Sequence, residues 1–70
     1  MTRDEWIGEF AKELGVDPPS PREVAIMLDM AGAAAHGSER TAAPIACWIG
    51  GRTGRSPESL REIAQRINPG

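Results

Sequence analysis

The sequence has few of the residues that bind metals or form covalent cross-links. Its 70 residues include one cysteine, Cys47, and one histidine, His36. A single cysteine excludes a disulfide within the chain, and one cysteine with one histidine cannot supply the four ligands of a structural zinc site. A chain this small without such aids has marginal stability, so we expect self-association or a partner chain to support it.

Long apolar runs and export signals are also lacking. No apolar run approaches the ~20 residues that a membrane span requires, and the first residues, from Thr2 to Glu5, show no signal-peptide core. A free thiol without an export signal is typical of a reducing compartment. We therefore expect a cytoplasmic protein that does not enter a membrane.

Basic charge is too sparse for a nucleic-acid partner. The chain has eight Lys and Arg residues and ten Asp and Glu residues, which gives a net charge of −2. DNA-binding domains, in contrast, present a dense basic surface. The charge is also uneven, since residues 1–35 hold seven acids and three bases and residues 36–70 hold three acids and five bases. The opposite signs permit head-to-tail pairing between chains.

No strand pattern or internal repeat occurs, and helix signals recur four times. Helix one is predicted from a capping box at Thr2 and Glu5 to a glycine stop at Gly15. Helix two starts at a second capping box, in which Ser20 precedes Pro21, and runs to about Ala35.

The connections after helix two have their own signals. Gly37 is predicted to close helix two in the left-handed conformation, and Thr41 is predicted to be the N-cap of helix three. Gly50-Gly51 ends helix three. Helix four begins at Ser56-Pro57 and ends at Asn68-Pro69-Gly70.

These signals predict a compact, all-α, four-helix domain over residues 1–70. Helix two is apolar nearly all round, which indicates a central position. Its second apolar stripe, Ile26, Met30 and Ala33, remains uncovered if the three short helices do not wrap it, and would then be an interface for another chain. The alternative is that the other helices cover it completely.

One cluster of polar residues near the end of helix two has potential chemistry. Asp29 is the only charge in the interior of helix two, and His36 follows two turns later, before Glu39 and Arg40. We expect Arg40 to pair with Asp29 or to bind the helix-two carbonyls, with His36 at the helix C-terminus. Alternatively, Arg40 binds a small anion and His36 acts as a donor or proton carrier.

The remaining candidates favour structural roles. Cys47 lies in an apolar helix without a basic neighbour, which favours an inert core thiol over a nucleophile activated by His36. Trp6 and Trp48 lie on apolar stripes, which favours core packing over ligand stacking. The loop 50–56 contains glycines but no phosphate-binding motif, and no helix is basic enough to suit a DNA groove.

Several segments resemble a family of small actinobacterial helical domains of unknown function, found alone or fused to molybdenum-cofactor guanylyltransferase-like proteins. The matching segments are Trp6, Leu14-Gly15-Val16-Asp17, Ala35-His36-Gly37 through Arg40, Ala42-Ala43-Pro44 and Gly50. The family has a proline where this chain has Thr41. The resemblance implies an accessory role in the cytoplasm near molybdenum-cofactor assembly, and it implies no cofactor and no catalytic residue.

The sequence thus predicts a non-enzymatic accessory or protein-interaction domain. The alternative is a domain that binds a small anionic ligand near Asp29, His36, Glu39 and Arg40.

Overall fold

Four α-helices make up the fold. The computed structural model describes residues 1–68 and contains, in that range, no strand. The helices are α1 (Arg3–Leu14), α2 (Pro21–Gly37), α3 (Ala42–Gly51) and α4 (Pro57–Ile67). The all-α, four-helix prediction is confirmed; of the predicted closing segment, Pro69 and Gly70 lie outside the described residues.

Three of the four helices begin at the predicted side-chain caps. The Thr2 hydroxyl accepts from the Glu5 N–H at 3.1 Å, and the Glu5 carboxylate accepts from the Thr2 N–H at 3.0 Å. Ser20 and Glu23 form the same reciprocal pair before α2. Each capping box satisfies two amide groups that have no partner inside the helix. Ser56 caps α4 by accepting from the Ser59 N–H at 3.2 Å.

The start of α3 has no side-chain cap. Thr41 precedes the helix, as predicted, but its backbone is already helical, with φ −69° and ψ −12°, and its side chain makes no capping bond. A capping side chain requires an extended backbone at that position. The first amides instead donate to the preceding turn, from Ala42 to the Glu39 carbonyl at 2.9 Å and from Ala43 to the Arg40 carbonyl at 3.2 Å.

The prediction that Gly37 closes α2 in a left-handed conformation is wrong. Among the described residues only Gly15, which ends α1, and Gly54 have positive φ, whereas α2 continues through Gly37. The Asn68 side chain lies where a Cβ of residue 37 would stand, and it donates to the Ala33 carbonyl at 2.8 Å. Glycine is needed at this position for close approach of a side chain, not for backbone conformation.

Helix α2 is central, as predicted, and packs extensively against both α3 and α4. Its most buried side chains are Ile26 and Met30, which are 4% and 3% exposed. Of the two alternatives for the stripe of Ile26, Met30 and Ala33, cover by the other helices, and not an interface with another chain, holds for Ile26 and Met30. Ile26 and Met30 form the core of this chain, and Ala33 is half-buried.

The position of the core can be tested by truncating two apolar residues of α2. Ile26→Ala is expected to lower the free energy of unfolding by about 2–4 kcal/mol, because it opens a cavity in the core. Leu28→Ala, at a half-exposed position of the same helix, is the matched control and should cost about 0.5 kcal/mol or less. Urea unfolding followed by circular dichroism measures both; equal losses would contradict this placement of the core.

Candidate interaction surface

Most of the large apolar side chains of this protein are exposed. Among the described residues the buried apolar side chains are Ala11, Ile26 and Met30, whereas the exposed large apolar residues are Met1, Trp6, Phe10, Leu14, Val16, Leu28, Ile45, Trp48, Ile49 and Ile67. Single exposed apolar residues are ordinary, but contiguous groups of them mark binding surfaces. Two such groups lie on α1 and α3.

The prediction of core tryptophans is wrong. Trp6 is 56% exposed and Trp48 is 64% exposed. Both lie on the apolar stripe of their helix, as the periodicity indicated, but α2 packs chiefly against α3 and α4. No element within residues 1–68 covers these two side chains as a core would.

The first group, which we call the α1 face, comprises Trp6, Phe10 and Leu14. They are four residues apart and therefore lie along one side of the helix. The rings of Trp6 and Phe10 stack with their centroids 5.1 Å apart and their planes 25° from parallel. Glu9 and Glu13 lie beside these rings and line a shallow depression with them, so the α1 face has an apolar centre and an acidic border.

The second group, which we call the α3 face, comprises Ile45, Trp48, Ile49 and Arg52. The three apolar residues are spaced by three and four positions and share one side of α3. The guanidinium carbon of Arg52 lies 4.6 Å from the centroid of the Trp48 ring, a cation–π geometry that holds the charge at the edge of the apolar surface. This face has an apolar centre and a basic border.

The overall dimensions show that the chain exposes more surface than its size requires. Its accessible surface is 5490 Å², whereas a compact monomer of 7.5 kDa has about 4,200 Å². Its radius of gyration is 12.6 Å, against about 11 Å for a typical domain of this length. The excess of about 1,300 Å² exceeds the ~800 Å² that one partner contributes to a standard interface.

The polar cluster predicted around Asp29 has a different arrangement. Asp29 is exposed, with 61% of its side chain accessible, and its carboxylate accepts from the Arg61 guanidinium at 3.3 Å. The pairing expected between Asp29 and Arg40 is therefore replaced by an ion pair that joins α2 to α4. Sequence analysis missed Arg61 because Asp29 and Arg61 are 32 positions apart. The sequence alone does not show which residues of two such distant helices lie side by side.

The other three candidate ligand residues do not join Asp29 in a bonded cluster. His36, Glu39 and Arg40 are exposed, and none of their side chains makes a hydrogen bond or ion pair within residues 1–68. A cavity lies where the end of α2 meets α3 and α4. It is lined mainly by small and apolar residues, namely Met30, Ala34, Gly37, Ser38, Ala46, Ala64, Ile67 and Asn68. No group of three potential metal ligands is close together in the described part of the chain.

Cys47 is half-buried in α3. Burial raises the pKa of its thiol above the ordinary value, because a thiolate is less well solvated there. A raised pKa lowers the fraction of the reactive thiolate at neutral pH. This environment is that of a structural thiol, in agreement with the interpretation from sequence.

No helix among the described residues has the length and apolar character needed to cross a bilayer. The fold and its surface define a small all-α domain with two exposed apolar helix faces. The chain belongs to the family described as a domain of unknown function (DUF6457), whose model matches residues 1–69. No curated protein and no solved structure matches the chain.

A double-mutant cycle tests the partner of Asp29. Asp29→Asn combined with Arg61→Ala should reveal a coupling of about 0.2–1 kcal/mol that falls with added salt, as for other exposed ion pairs. The same cycle with Arg40→Ala should give a coupling near zero. Urea unfolding measures both coupling energies. A larger coupling of Asp29 to Arg40 than to Arg61 would contradict the observed ion pair and support the Asp29–Arg40 pair expected from sequence.

The reactivity of Cys47 follows from the direction of its pKa shift. Because the pKa is raised in the folded protein, the thiolate is scarcer there than in the unfolded chain at the same pH below the pKa. Alkylation by iodoacetamide at mildly alkaline pH should therefore be slower in the native protein than in urea, with a rate that continues to rise at higher pH. Mass spectrometry measures this rate, and faster native alkylation would indicate an activated thiol instead.

Proposed function

We propose that this chain is a non-enzymatic protein-interaction domain that binds a protein partner through the α1 face and the α3 face. The observation that carries the proposal is the distribution of apolar side chains. The largest ones, Trp6, Phe10 and Trp48, are more than half exposed, while the core is small.

The composition of the two faces is that of an interface. Tryptophan and arginine dominate the binding energy of protein–protein interfaces, and aromatic residues are enriched in their centres. The α3 face presents Trp48 with Arg52 already positioned against its ring. The α1 face presents two stacked aromatic rings, which have few rotatable bonds and lose little conformational entropy on binding.

The size of the core also supports a partner. A small domain gains little from burying apolar surface, and this chain buries only three apolar side chains among those described. A partner that binds only the folded form adds its binding free energy to the stability of the domain. Folding and binding would therefore strengthen each other.

The family resemblance adds a cellular setting to the proposal. The segments Ala35-His36-Gly37 through Arg40 and Ala42-Ala43-Pro44 resemble those of small actinobacterial domains that occur alone or with molybdenum-cofactor guanylyltransferase-like proteins. We therefore propose a cytoplasmic accessory role in molybdenum-cofactor biosynthesis.

The alternative, a small anionic-ligand site near Asp29, His36 and Arg40, has less support. Its acid is engaged with Arg61, and the nearby cavity has a mainly apolar lining that includes none of these three residues. An anion site requires convergent donors, and no hydrogen bond or ion pair within residues 1–68 links His36 or Arg40 to Asp29.

Site-specific photo-crosslinking in the native host tests the proposed function. A photo-reactive phenylalanine analogue is placed at position 48 or position 10, with position 65 on α4 as the exposed control. Illumination should give a discrete covalent adduct from positions 48 and 10 but not from position 65. An adduct yield at both face positions no higher than at position 65 would contradict the proposal.

A further inference from the structure

We propose that the partner is a second copy of this chain, with the α1 face of each copy packed against the α3 face of the other. This inference rests on the proposed function and names its partner. Charge, length and area each support this pairing.

The borders of the two faces have opposite charge. Helix α1 has four acids and two bases, and one of the bases, Arg3, is paired with the neighbouring Asp4 at 3.0 Å. Glu9 and Glu13 border the aromatic rings. Helix α3 has no charged residue of its own, and Arg52 and Arg55 follow it. Packing α1 on α3 brings acids to bases around a shared apolar centre, which favours this orientation.

Pairing like faces is less favourable. Two α1 faces together would concentrate Glu9 and Glu13 of both copies, and two α3 faces together would concentrate Arg52 of both copies, with Arg55 three residues further along each chain. Like charges brought together at an interface cost free energy and suppress that arrangement. The unlike pairing also lets Arg52 keep its contact with Trp48 while its guanidinium donates to a carboxylate.

The lengths of the two faces match. The α1 face extends from Trp6 to Leu14, a rise of about 12 Å, and the α3 face extends from Ile45 to Arg52, a rise of about 10.5 Å. Two helices with faces of similar length can align along their whole contact.

The area and the symmetry fit a closed dimer. Each copy carries one face of each kind, so a dimer in which each α1 face meets the α3 face of the other copy would leave neither face open. The surface in excess of a compact monomer is about 1,300 Å² per copy, more than the ~800 Å² that a standard interface takes from each partner.

Reversing the border charges tests the pairing. One variant carries Glu9→Arg with Glu13→Arg, and a second carries Arg52→Glu with Arg55→Glu. Each variant alone places like charges across both contacts, so its self-association should be at least about tenfold weaker than that of the wild type. An equimolar mixture places opposite charges across both contacts and should regain near-wild-type association.

Sedimentation velocity at low and high salt measures association, and circular dichroism confirms that each variant keeps its helices. A chain with all four substitutions should self-associate like the wild type, which separates charge pairing from loss of the Arg55 hydrogen bond to Ser59. Glu62→Arg on α4 is the matched control and should leave association unchanged.

The outcomes separate this inference from the proposed function. A wild-type chain that stays monomeric up to millimolar concentration, or a mixture that fails to regain association, overturns the second-copy pairing. If position 48 then crosslinks to a different protein, the interaction function stands with another partner. If the adduct has the mass of two copies and the mixture associates, the pairing is supported.

Discussion

The packing of α2 between α3 and α4 is the constraint on which the rest of this structure depends. A chain of 70 residues has too little apolar mass to surround a central helix on every side. Ile26 and Met30 take the best-buried positions, and the chain closes around them with two short helices. The apolar side chains that remain, chiefly on α1 and on the outer side of α3, are not covered by any other element within residues 1–68.

Two side-chain hydrogen bonds stabilise this packing where α2 ends. The Ser38 hydroxyl donates to the Ala34 carbonyl at 2.7 Å, and the Asn68 amide donates to the Ala33 carbonyl. The Ser38 bond satisfies one of the carbonyl groups that a helix leaves without partners at its end, and the Asn68 bond joins the end of α4 to α2. The Asp29 to Arg61 ion pair holds α4 along the same helix. The residues 36–40 therefore form the outside of a structural corner.

The sequence predicted the helices well and the surface poorly, for a physical reason. Capping boxes at Thr2 and Ser20 depend on residues three positions apart, so they can be recognised without knowing the fold. Gly37 was misassigned because a glycine serves either a left-handed backbone or a close approach, and the side chain that approaches it, Asn68, lies 31 residues away. Trp6 and Trp48 were misassigned because periodicity shows which side chains share a face but not whether anything covers that face.

The proline-rich connector between α1 and α2 has a consequence for how the α1 face meets a partner. Pro18 and Pro19 lie in the connector and Pro21 opens α2, and each ring fixes its own φ near −65°. The direction in which α1 leaves α2 is thereby restricted before any partner arrives. A helix held this way is preorganised: it has less orientational freedom to lose on association, so more of the free energy from burying its aromatic rings is retained as affinity.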